Sequence, residues 1–386
     1  MQAKVLVKSL SILHPFSPAA GGVDESTVAS YHSQPHAKAL QAFAEAYPEA
    51  NLSIDYFTEK WCGYQFKKGS VLYRLFSVSH DFKGNWKKWK KQQSRSCLSA
   101  YKKQCPEATI INMSGHSSPF SHLLAKLILS QKKQYIAMLG GQDYLDTPDN
   151  RWYYSHANHI LVHTKLQKQD MCTMPMFQDL DIRVFPLGVD CEVFSPKGES
   201  NNIGPKLLYV GRIVEWKRIH LAIEAIALLV KNGFSDAHLD IIGPIFSNEY
   251  MNQMQLLIEE KQLAKNVTYH GLKKHDELPR YFQHADLFCL PSDRETFGMV
   301  MIEAMACGTP VAAMNCPGGP LEVINNRIDG LLSTPECYSN DILELFLNQE
   351  LLSNMRTMAR EKVLESYSIE ETTRVLKDSV NSALFS

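Results

Sequence analysis

Two glutamates and two cations in the second half of the chain have the types and spacing of a ligand-binding set. Glu303 follows Glu295 by eight positions, in a stretch that otherwise has the composition of a buried helix. Arg212 and Lys217 follow a predicted strand, and Lys217 is predicted to begin the next helix. Carboxylates accept hydrogen bonds from ribose and hexose hydroxyls, and paired cations beside a helix N-terminus suit a diphosphate. The set therefore predicts one elongated ligand that carries both sugar hydroxyls and a diphosphate.

The spacing of the two glutamates places them differently relative to the helix. A helix running through both would separate them by roughly 12 Å. Gly298 and the polar residues 292–294 instead predict that Glu295 lies in the loop before the helix and Glu303 inside it. Backbone N–H groups of residues 297–299 would then point at a phosphate, and Gly298 allows a close approach. The alternative is a structural buried carboxylate at Glu303 and a solvated basic turn at Arg212 and Lys217.

The elements that must hold these residues form a regular series. From Lys206 onward, apolar strands alternate with amphipathic helices, which predicts an α/β fold with a parallel sheet covered on both faces. Ligands of such sheets bind at the carboxyl ends of the strands. The first half is less regular but also contains strands that end in glycine. A chain of 386 residues is too long for one ordinary core, so we expect two domains.

Several segments of the second half resemble one enzyme family. The stretches PLGVDCEVFSP, YVGRIVEWKRIHLAIEA and PSDRETFGMVMIEAMACGTPVAA, followed by PGGPLEVI, occur in this order. They resemble retaining, nucleotide-sugar-dependent glycosyltransferases of the GT-B fold, family 4 type, also called glycosyl transferases group 1. The resemblance covers residues 185–332 and is specific in the E-x7-E element formed by Glu295 and Glu303.

The resemblance implies a fold and a division of the chain. It implies two Rossmann-like domains whose parallel sheets face each other across a cleft. Residues 1–197 would bind the acceptor, residues 198–368 would bind the nucleotide sugar, and a terminal helix at 369–386 would cross back to the first domain. The polar segment at 195–206 is the predicted linker.

The resemblance also implies roles for individual residues. Arg212 and Lys217 would bind the diphosphate, Glu303 the ribose, and Glu295 the transferred sugar. The loop at 270–272 would form a wall against the nucleobase. The implied catalytic residues are Glu295, Lys217, Arg212 and His116, and the implied binding residues are Gly22, Arg212, Lys217, His270, Gly271, Leu272, Glu295, Phe297, Gly298, Met299, Val300 and Glu303.

The first half fits this pattern only in part. Gly21 and Gly22 resemble the glycine loop after the first strand of these enzymes, followed by a helix predicted from about Thr27. His116 follows a predicted strand and is a candidate for an active-site contact, with a structural polar histidine as the alternative. Many family members have histidine-glycine where this chain has LGGQDY at 139–144. The contribution of this histidine is then either absent here or supplied by another group, such as His116 or Asp143.

A basic segment, Lys83 to Lys103, suggests a further partner. It has seven lysines, one arginine, no acidic residue and two tryptophans three positions apart. Such a composition suits an anionic membrane surface, and a lipid-linked acceptor would follow. A solvated basic helix is the alternative. The formal net charge of −1 argues against nucleic acid as a partner.

Composition sets the remaining expectations. Nine cysteines without a C-x-x-C pair indicate reduced thiols, and no signal peptide or long apolar run is evident. We therefore expect a cytoplasmic protein, peripheral on the cytoplasmic membrane face if the basic segment binds it. The resemblance implies hexose transfer from a nucleotide-diphosphate sugar to an acceptor hydroxyl, without metal or cofactor, in cell-surface polysaccharide or glycolipid synthesis. The alternatives are a nucleotide-sugar epimerase of the same fold and a non-catalytic nucleotide-sugar-binding protein.

Overall fold

The chain divides into two compact units. The computed structural model describes residues 7–21, 24–29, 35–81, 84–113, 118–141, 144–198 and 204–385. The first unit consists of Met1–Leu187 together with Glu370–Ser386, and the second unit is Gly188–Ile369. Each unit has its own sheet and its own apolar core.

Eight strands form the sheet of the first unit within its described residues. Their order is β3-β4-β2-β1-β5-β6-β7-β8, and neighbours are parallel except in the β3–β4 hairpin. The strands are β1 (Ser9–Leu13), β2 (Asn51–Thr58), β3 (Tyr64–Lys68), β4 (Val71–Ser77), β5 (Ala108–Met113), β6 (Gln134–Leu139), β7 (Ile160–Val162) and β8 (Ile182–Val184). The helices of this unit that precede the second unit are α1 (Pro35–Ala46), α2 (Arg95–Lys103), α3 (Pro119–Ser130), α4 (Pro148–Ser155) and α5 (Lys165–Cys172).

The start of this unit differs from the helix predicted at Thr27. Residues Glu25–Thr27 form a single 3-10 turn capped by the side chain of Asp24, and the first α-helix begins at Pro35. Proline suits the first position of a helix because its missing N–H would have no intrahelical partner there. The sequence prediction placed the helix too early, because the chain forms this short capped turn before α1 begins.

Six parallel strands form the sheet of the second unit, in the order β11-β10-β9-β12-β13-β14. The strands are β9 (Lys206–Val210), β10 (His238–Ile242), β11 (Val267–Tyr269), β12 (Leu287–Leu290), β13 (Val311–Met314) and β14 (Gly330–Ser333). The helices are α6 (His220–Lys231), α7 (Asn248–Glu260), α8 (Leu278–His284), α9 (Met299–Ala306), α10 (Gly319–Val323), α11 (Tyr338–Leu347) and α12 (Gln349–Ser366). The alternation of strands and helices predicted from Lys206 onward is confirmed.

Helix α9 is buried on every side. Met301, Ile302, Ala304 and Met305 are fully buried, because β12, β13, α8 and α12 all pack against the helix. A helix enclosed in this way has an apolar sequence all round, as this stretch does. Glu303 is the exception within it and is itself only 1% exposed.

Lys217 does not begin a helix, contrary to the prediction. Residues Glu215–Lys217 form a 3-10 turn, and Arg218 after it adopts a left-handed backbone conformation with φ of 49°. That conformation interrupts the helical path, so α6 begins only at His220. Lys217 therefore lies in a short turn between β9 and α6, with its side chain directed into the second unit.

The boundary between the units lies at residue 188, ten positions before the predicted boundary at 198. The intervening segment packs on the second unit: Phe194 is buried, and Arg360 donates hydrogen bonds to the carbonyl oxygens of Phe194 and Cys191. The polar composition that suggested a linker at 195–206 begins after this division, with Pro196, Lys197 and Gly198 exposed. The last helix, α13 (Ile369–Phe385), buries Leu376, Val380 and Ala383 in the core of the first unit.

Candidate functional site

The backbone around Glu295 is fixed by two glycines from another loop. A Cβ atom on Gly318 would lie 1.8 Å from the carbonyl oxygen of Glu295, and one on Gly319 would lie 1.7 Å from that of Phe297. Glu295 and Gly318 also form a parallel β-bridge. Only residues without a side chain allow this approach, so the PGG segment fixes the position of Glu295.

Gly298 separates this loop from α9. Its φ of 83° is left-handed, and it caps the N-terminus of the helix. Glu295 thus lies in the loop before the helix and Glu303 inside it, as the sequence predicts. The first N–H groups of a helix have no intrahelical acceptor and carry a partial positive charge. The backbone at Met299 and Val300 is therefore suited to bind an anion.

Lys217 and Glu295 form a buried ion pair. The ammonium Nζ of Lys217 donates to Oε1 of Glu295, and the same oxygen accepts from Oγ of Ser292 at 2.8 Å. Lys217 is only 8% exposed. The N–H of Asp293 donates to the carbonyl oxygen of Trp216 at 3.0 Å, which ties the two loops together. Two residues 78 positions apart in sequence thus lie side by side.

The surroundings of the Lys217–Glu295 pair raise the pKa values of two neighbouring side chains, Cys316 and Tyr209. Burial, followed by the negative charge of Glu295, raises the pKa of the Cys316 thiol to about 11. The same two causes raise the pKa of Tyr209 well above its usual range. Both groups are therefore neutral near pH 7. The Tyr209 hydroxyl donates to the carbonyl oxygen of Arg212 at 2.9 Å and so fixes the backbone beside that cation.

Arg212 belongs to a cationic group arranged around Trp216. The guanidinium of Arg212 lies 5.3 Å from the centroid of the indole ring, Nζ of Lys217 lies 4.5 Å from it, and the guanidinium of Arg294 lies 5.2 Å from it. The face of an indole attracts cations. Trp216 thus holds three positive charges close together, which suits a ligand with more than one negative charge.

Glu303 has one satisfied and one unsatisfied carboxylate oxygen. Oε1 accepts from Nε2 of His275 at 3.0 Å, and the His275 ring also packs against Phe194. Oε2 is buried and has no hydrogen-bond partner among the described residues. Buried polar atoms without a partner are rare and costly, so such an atom indicates a partner outside the described protein atoms.

The loop at 270–272 has a polar edge and an apolar tip. Nε2 of His270 bonds to Oδ1 of Asp240 at 2.6 Å, and its ring lies against Tyr281. Burial opposes ionisation of Asp240, but the hydrogen bonds from His238 and His270 hold the pKa of this carboxyl below its usual range. Leu272 is 73% exposed and is free to pack against a flat apolar group.

Several residues of the segments singled out in the sequence lie outside the described residues, namely Gly22, His116, Gln142, Asp143 and Lys83. Within the parts of the chain that are described, no group of three or more histidine, cysteine, aspartate or glutamate side chains is arranged to hold a metal ion. All nine cysteines are free thiols.

Three residues that shape this site were not identified in the sequence analysis. Trp216 gathers the cations, His275 orients Glu303, and Ser292 shares the Glu295 oxygen with Lys217. Trp216 and Ser292 lie within segments already singled out, so their proximity to Lys217 and Glu295 was a usable signal. His275 precedes Glu303 by 28 positions, and no local pattern connects the two.

Residues 191–362 match the sequence family described as glycosyl transferases group 1. They include the four predicted ligand-binding residues Arg212, Lys217, Glu295 and Glu303. The second unit carries a glycosyl transferases group 1 domain. The resemblance inferred from the sequence is confirmed for this part of the chain.

Curated relatives match about half of this chain. The chain is 32% identical to a D-inositol 3-phosphate glycosyltransferase of Paenarthrobacter aurescens, over 53% of this chain and 53% of that protein. It is 29% identical to a probable sucrose-phosphate synthase of Thermosipho melanesiensis, over 57% of this chain and 53% of that protein. The chain thus spans about half the length of the curated relatives it matches.

Solved structures match nearly the whole chain. The Anabaena protein HepE, in complex with UDP and glucose, has a TM-score of 0.69 at 14% identity and covers 97% of this chain and 99% of its own. Sucrose-phosphate synthase from Thermosynechococcus elongatus has a TM-score of 0.70 at 17% identity, covering 97% and 98%. The prediction of an α/β chain with the GT-B fold is confirmed, and its two sheets are parallel apart from the β3–β4 hairpin.

Proposed function

We propose that this protein is a retaining glycosyltransferase that transfers a hexose from a nucleotide-diphosphate sugar to an acceptor hydroxyl. The observation that carries the proposal is the Lys217–Glu295 pair, held beside Arg212 and Trp216 within the group 1 domain. Three cations around the Trp216 ring suit a diphosphate, and the pair places a carboxylate beside them. The complexes of HepE with UDP and glucose support a sugar nucleotide as the donor.

Each part of the donor has a proposed partner. Arg212, Lys217 and the backbone at 298–300 would bind the diphosphate. The unsatisfied Oε2 of Glu303 would accept from a ribose hydroxyl, while His275 holds the other oxygen. Leu272 would pack against the nucleobase, and Glu295 would accept from a hydroxyl of the transferred sugar.

The proposed chemistry relies on stabilising the leaving group. The bond between the anomeric carbon and the diphosphate oxygen breaks, the diphosphate gains negative charge, and the acceptor oxygen attacks on the same face. The acceptor proton passes to an oxygen of the leaving diphosphate. Glu295 is ion-paired with Lys217 and is therefore unsuited to be a covalent nucleophile. Preorganised cations lower the transition-state free energy most where negative charge develops, and Arg212 and Lys217 would supply them at the diphosphate. We therefore propose that the transfer uses no metal or cofactor.

A thermal-unfolding screen against UDP-, GDP- and ADP-sugars tests this proposal. A ligand that binds only the folded state raises the unfolding temperature, by an amount that grows with its concentration relative to Kd. We expect one nucleotide class to stabilise the protein and to be consumed when an acceptor is present. Conversion of the sugar while still attached to the nucleotide would indicate an epimerase. Binding without hydrolysis or transfer would indicate a non-catalytic protein, and no stabilisation at all would contradict the proposal.

We further propose that the acceptor is a saccharide or is lipid-linked. The transfer would serve the synthesis of a cell-surface polysaccharide or glycolipid. The protein would act in the cytoplasm, at the anionic face of the membrane. The basic segment supports this location. It contains two 3-10 turns, Asn85–Lys87 and Trp89–Lys91, and then α2, rather than the one continuous helix considered from the sequence. No helix in the described chain is long and apolar enough to cross a membrane.

The lysines of the two 3-10 turns are exposed. Lys87, Lys88, Lys90 and Lys91 are exposed, whereas both tryptophans are half-buried against the core of the first unit. The aromatic side chain exposed nearby is instead Trp61, at 82%, which is connected to Trp86 through the ring of His80. Attraction to an anionic surface would therefore depend on the exposed basic side chains and not on the tryptophans, with four lysines clustered at the two turns.

Changing these four lysines to glutamate is expected to abolish co-sedimentation with vesicles that contain anionic phospholipid. Each basic residue near such a surface contributes about 1 kcal/mol, so a reversal of four charges removes most of the attraction. The matched control changes four exposed lysines of the second unit, Lys231, Lys261, Lys265 and Lys274, to glutamate. Equal co-sedimentation of the two variants, or binding of the wild type to neutral vesicles, would contradict the membrane proposal.

A further inference from the structure

The ends of two neighbouring strands in the first unit bring a histidine and a glycine together. Leu139 of β6 and Val162 of β7 are paired in the parallel register. The next residue on each strand is Gly140 and His163, so both lie at the carboxyl edge of the sheet. A Cβ atom built on Gly140 would lie 3.6 Å from Nε2 of His163. The nitrogen therefore faces the space that a side chain at position 140 would occupy.

The hydrogen bond of Nδ1 determines whether Nε2 of His163 is a hydrogen-bond donor or an acceptor. Nδ1 of His163 lies 3.2 Å from the carbonyl oxygen of Phe185. A carbonyl oxygen can only accept, so Nδ1 carries the hydrogen in this contact. Burial lowers the pKa of His163 to about 4, and the hydrogen bond to Phe185 offsets this only in part. The ring is therefore neutral near pH 7, and Nε2 presents a lone pair.

No described group donates a hydrogen bond to the Nε2 lone pair of His163. Within the described residues, Nε2 of His163 has no hydrogen-bond partner, although the side chain is only partly exposed. An oriented acceptor at the carboxyl end of parallel strands suits a ligand that brings a donor. Among the ligands of a glycosyltransferase, sugar hydroxyls are donors, whereas a diphosphate offers only acceptors near pH 7.

We propose that Nε2 of His163 accepts a hydrogen bond from a saccharide hydroxyl and that Gly140 keeps this nitrogen open to the ligand. The inference rests on the proposed function and adds a specificity-determining residue in the first unit. The hydroxyl belongs either to the transferred hexose or to the acceptor sugar. The chemistry required of His163 is the same in both cases, and two assays distinguish them.

The test compares Gly140→Ala, His163→Ala, the double variant and His163→Gln. The added methyl of Gly140→Ala makes an ordinary van der Waals contact with Nε2 and covers it without forcing the fold. The His163→Gln variant would place an amide oxygen within reach of the same position and so serves as the conservative replacement. Thermal unfolding of each variant shows whether it is folded.

Two assays identify the source of the hydroxyl. The first measures affinity for the nucleotide sugar that stabilises the protein, relative to the corresponding nucleoside diphosphate. The second measures transfer from that sugar nucleotide to a panel of p-nitrophenyl hexosides. Loss of one hydrogen bond should reduce one of these quantities about three- to tenfold in Gly140→Ala and in His163→Ala. Affinity for the nucleoside diphosphate should not change.

The double variant and the glutamine variant complete the test. If both single changes remove the same contact, the double variant is no worse than His163→Ala, and His163→Gln retains most of the wild-type value. Wild-type behaviour of Gly140→Ala in both assays, or additive losses in the double variant, would overturn the inference while leaving the proposed function intact. Failure of the wild type to bind any sugar nucleotide would instead remove the proposed function and, with it, this inference.

Discussion

Replacing Lys217 by methionine is expected to lower kcat about 10²- to 10³-fold with a much smaller change in nucleotide affinity. This is the typical cost of removing one preorganised group that stabilises developing negative charge, about 2.7–4 kcal/mol of transition-state free energy. Methionine keeps most of the volume of the buried side chain, so packing is preserved. The measurement is single-turnover transfer with the nucleotide sugar identified by thermal unfolding. Transfer at near-normal rates would contradict the assignment of Lys217.

The ion pair requires a control for stability. Removing Lys217 leaves Glu295 as an uncompensated and mostly buried carboxylate, which is expected to lower the free energy of unfolding by about 3 kcal/mol. The double variant Lys217→Met, Glu295→Gln removes both charges and should recover most of that stability. It should not recover kcat. Recovery of activity together with stability would mean that Lys217 serves only to neutralise Glu295.

Replacing Glu303 by glutamine is expected to weaken binding of the nucleoside diphosphate about ten- to hundredfold. The reason is the loss of a hydrogen bond between a ribose hydroxyl and a charged acceptor, which contributes about 1.5–3 kcal/mol. The unliganded protein should be as stable as the wild type or more stable, because Oε2 is a buried charged atom without a partner among the described residues. Opposite changes in affinity and stability are the signature of a side chain kept for its ligand.

The ribose itself provides the matched control. Calorimetric titration with 2′,3′-dideoxynucleoside diphosphates should give similar affinities for the wild type and for Glu303→Gln. The exposed Glu259 of α7, changed to glutamine, should leave both affinities unchanged. An equal loss of affinity for the normal and dideoxy nucleotides would show that Glu303 acts on the fold of the domain and not on the ribose.

The second unit could be predicted well from its sequence because local signals and tertiary structure agree there. Apolar strands that end in glycine and helices with clear stops correspond to β9 through β13 and their connecting helices. Strand β14, Gly330–Ser333, was missed although the Asp329-Gly330 pair at its start is a turn signal. Lys217 was misplaced because the left-handed conformation of Arg218, which ends the turn, has no signature in a non-glycine residue.

The first unit was harder because polar residues are buried in its sheet. Asp55 of β2 is fully buried, and it accepts from Ser11, Tyr101 and the guanidinium of Arg74. These partners come from three other elements, so an isolated reading of NLSIDYFT shows a polar interruption where the structure has an eight-residue strand. The same limit applies to His275 and His163, whose surroundings arise only when distant segments meet.

The stereochemistry of the transferred sugar tests the central claim most directly. The α-anomeric donor that stabilises the protein would be followed by proton NMR as the full chain consumes it in the presence of the acceptor hexosides. The account predicts that the new glycosidic bond has the α configuration from the first turnover and that Lys217→Met slows its appearance about 10²-fold or more. A β-configured product, or no consumption of any nucleotide sugar that binds, would contradict it.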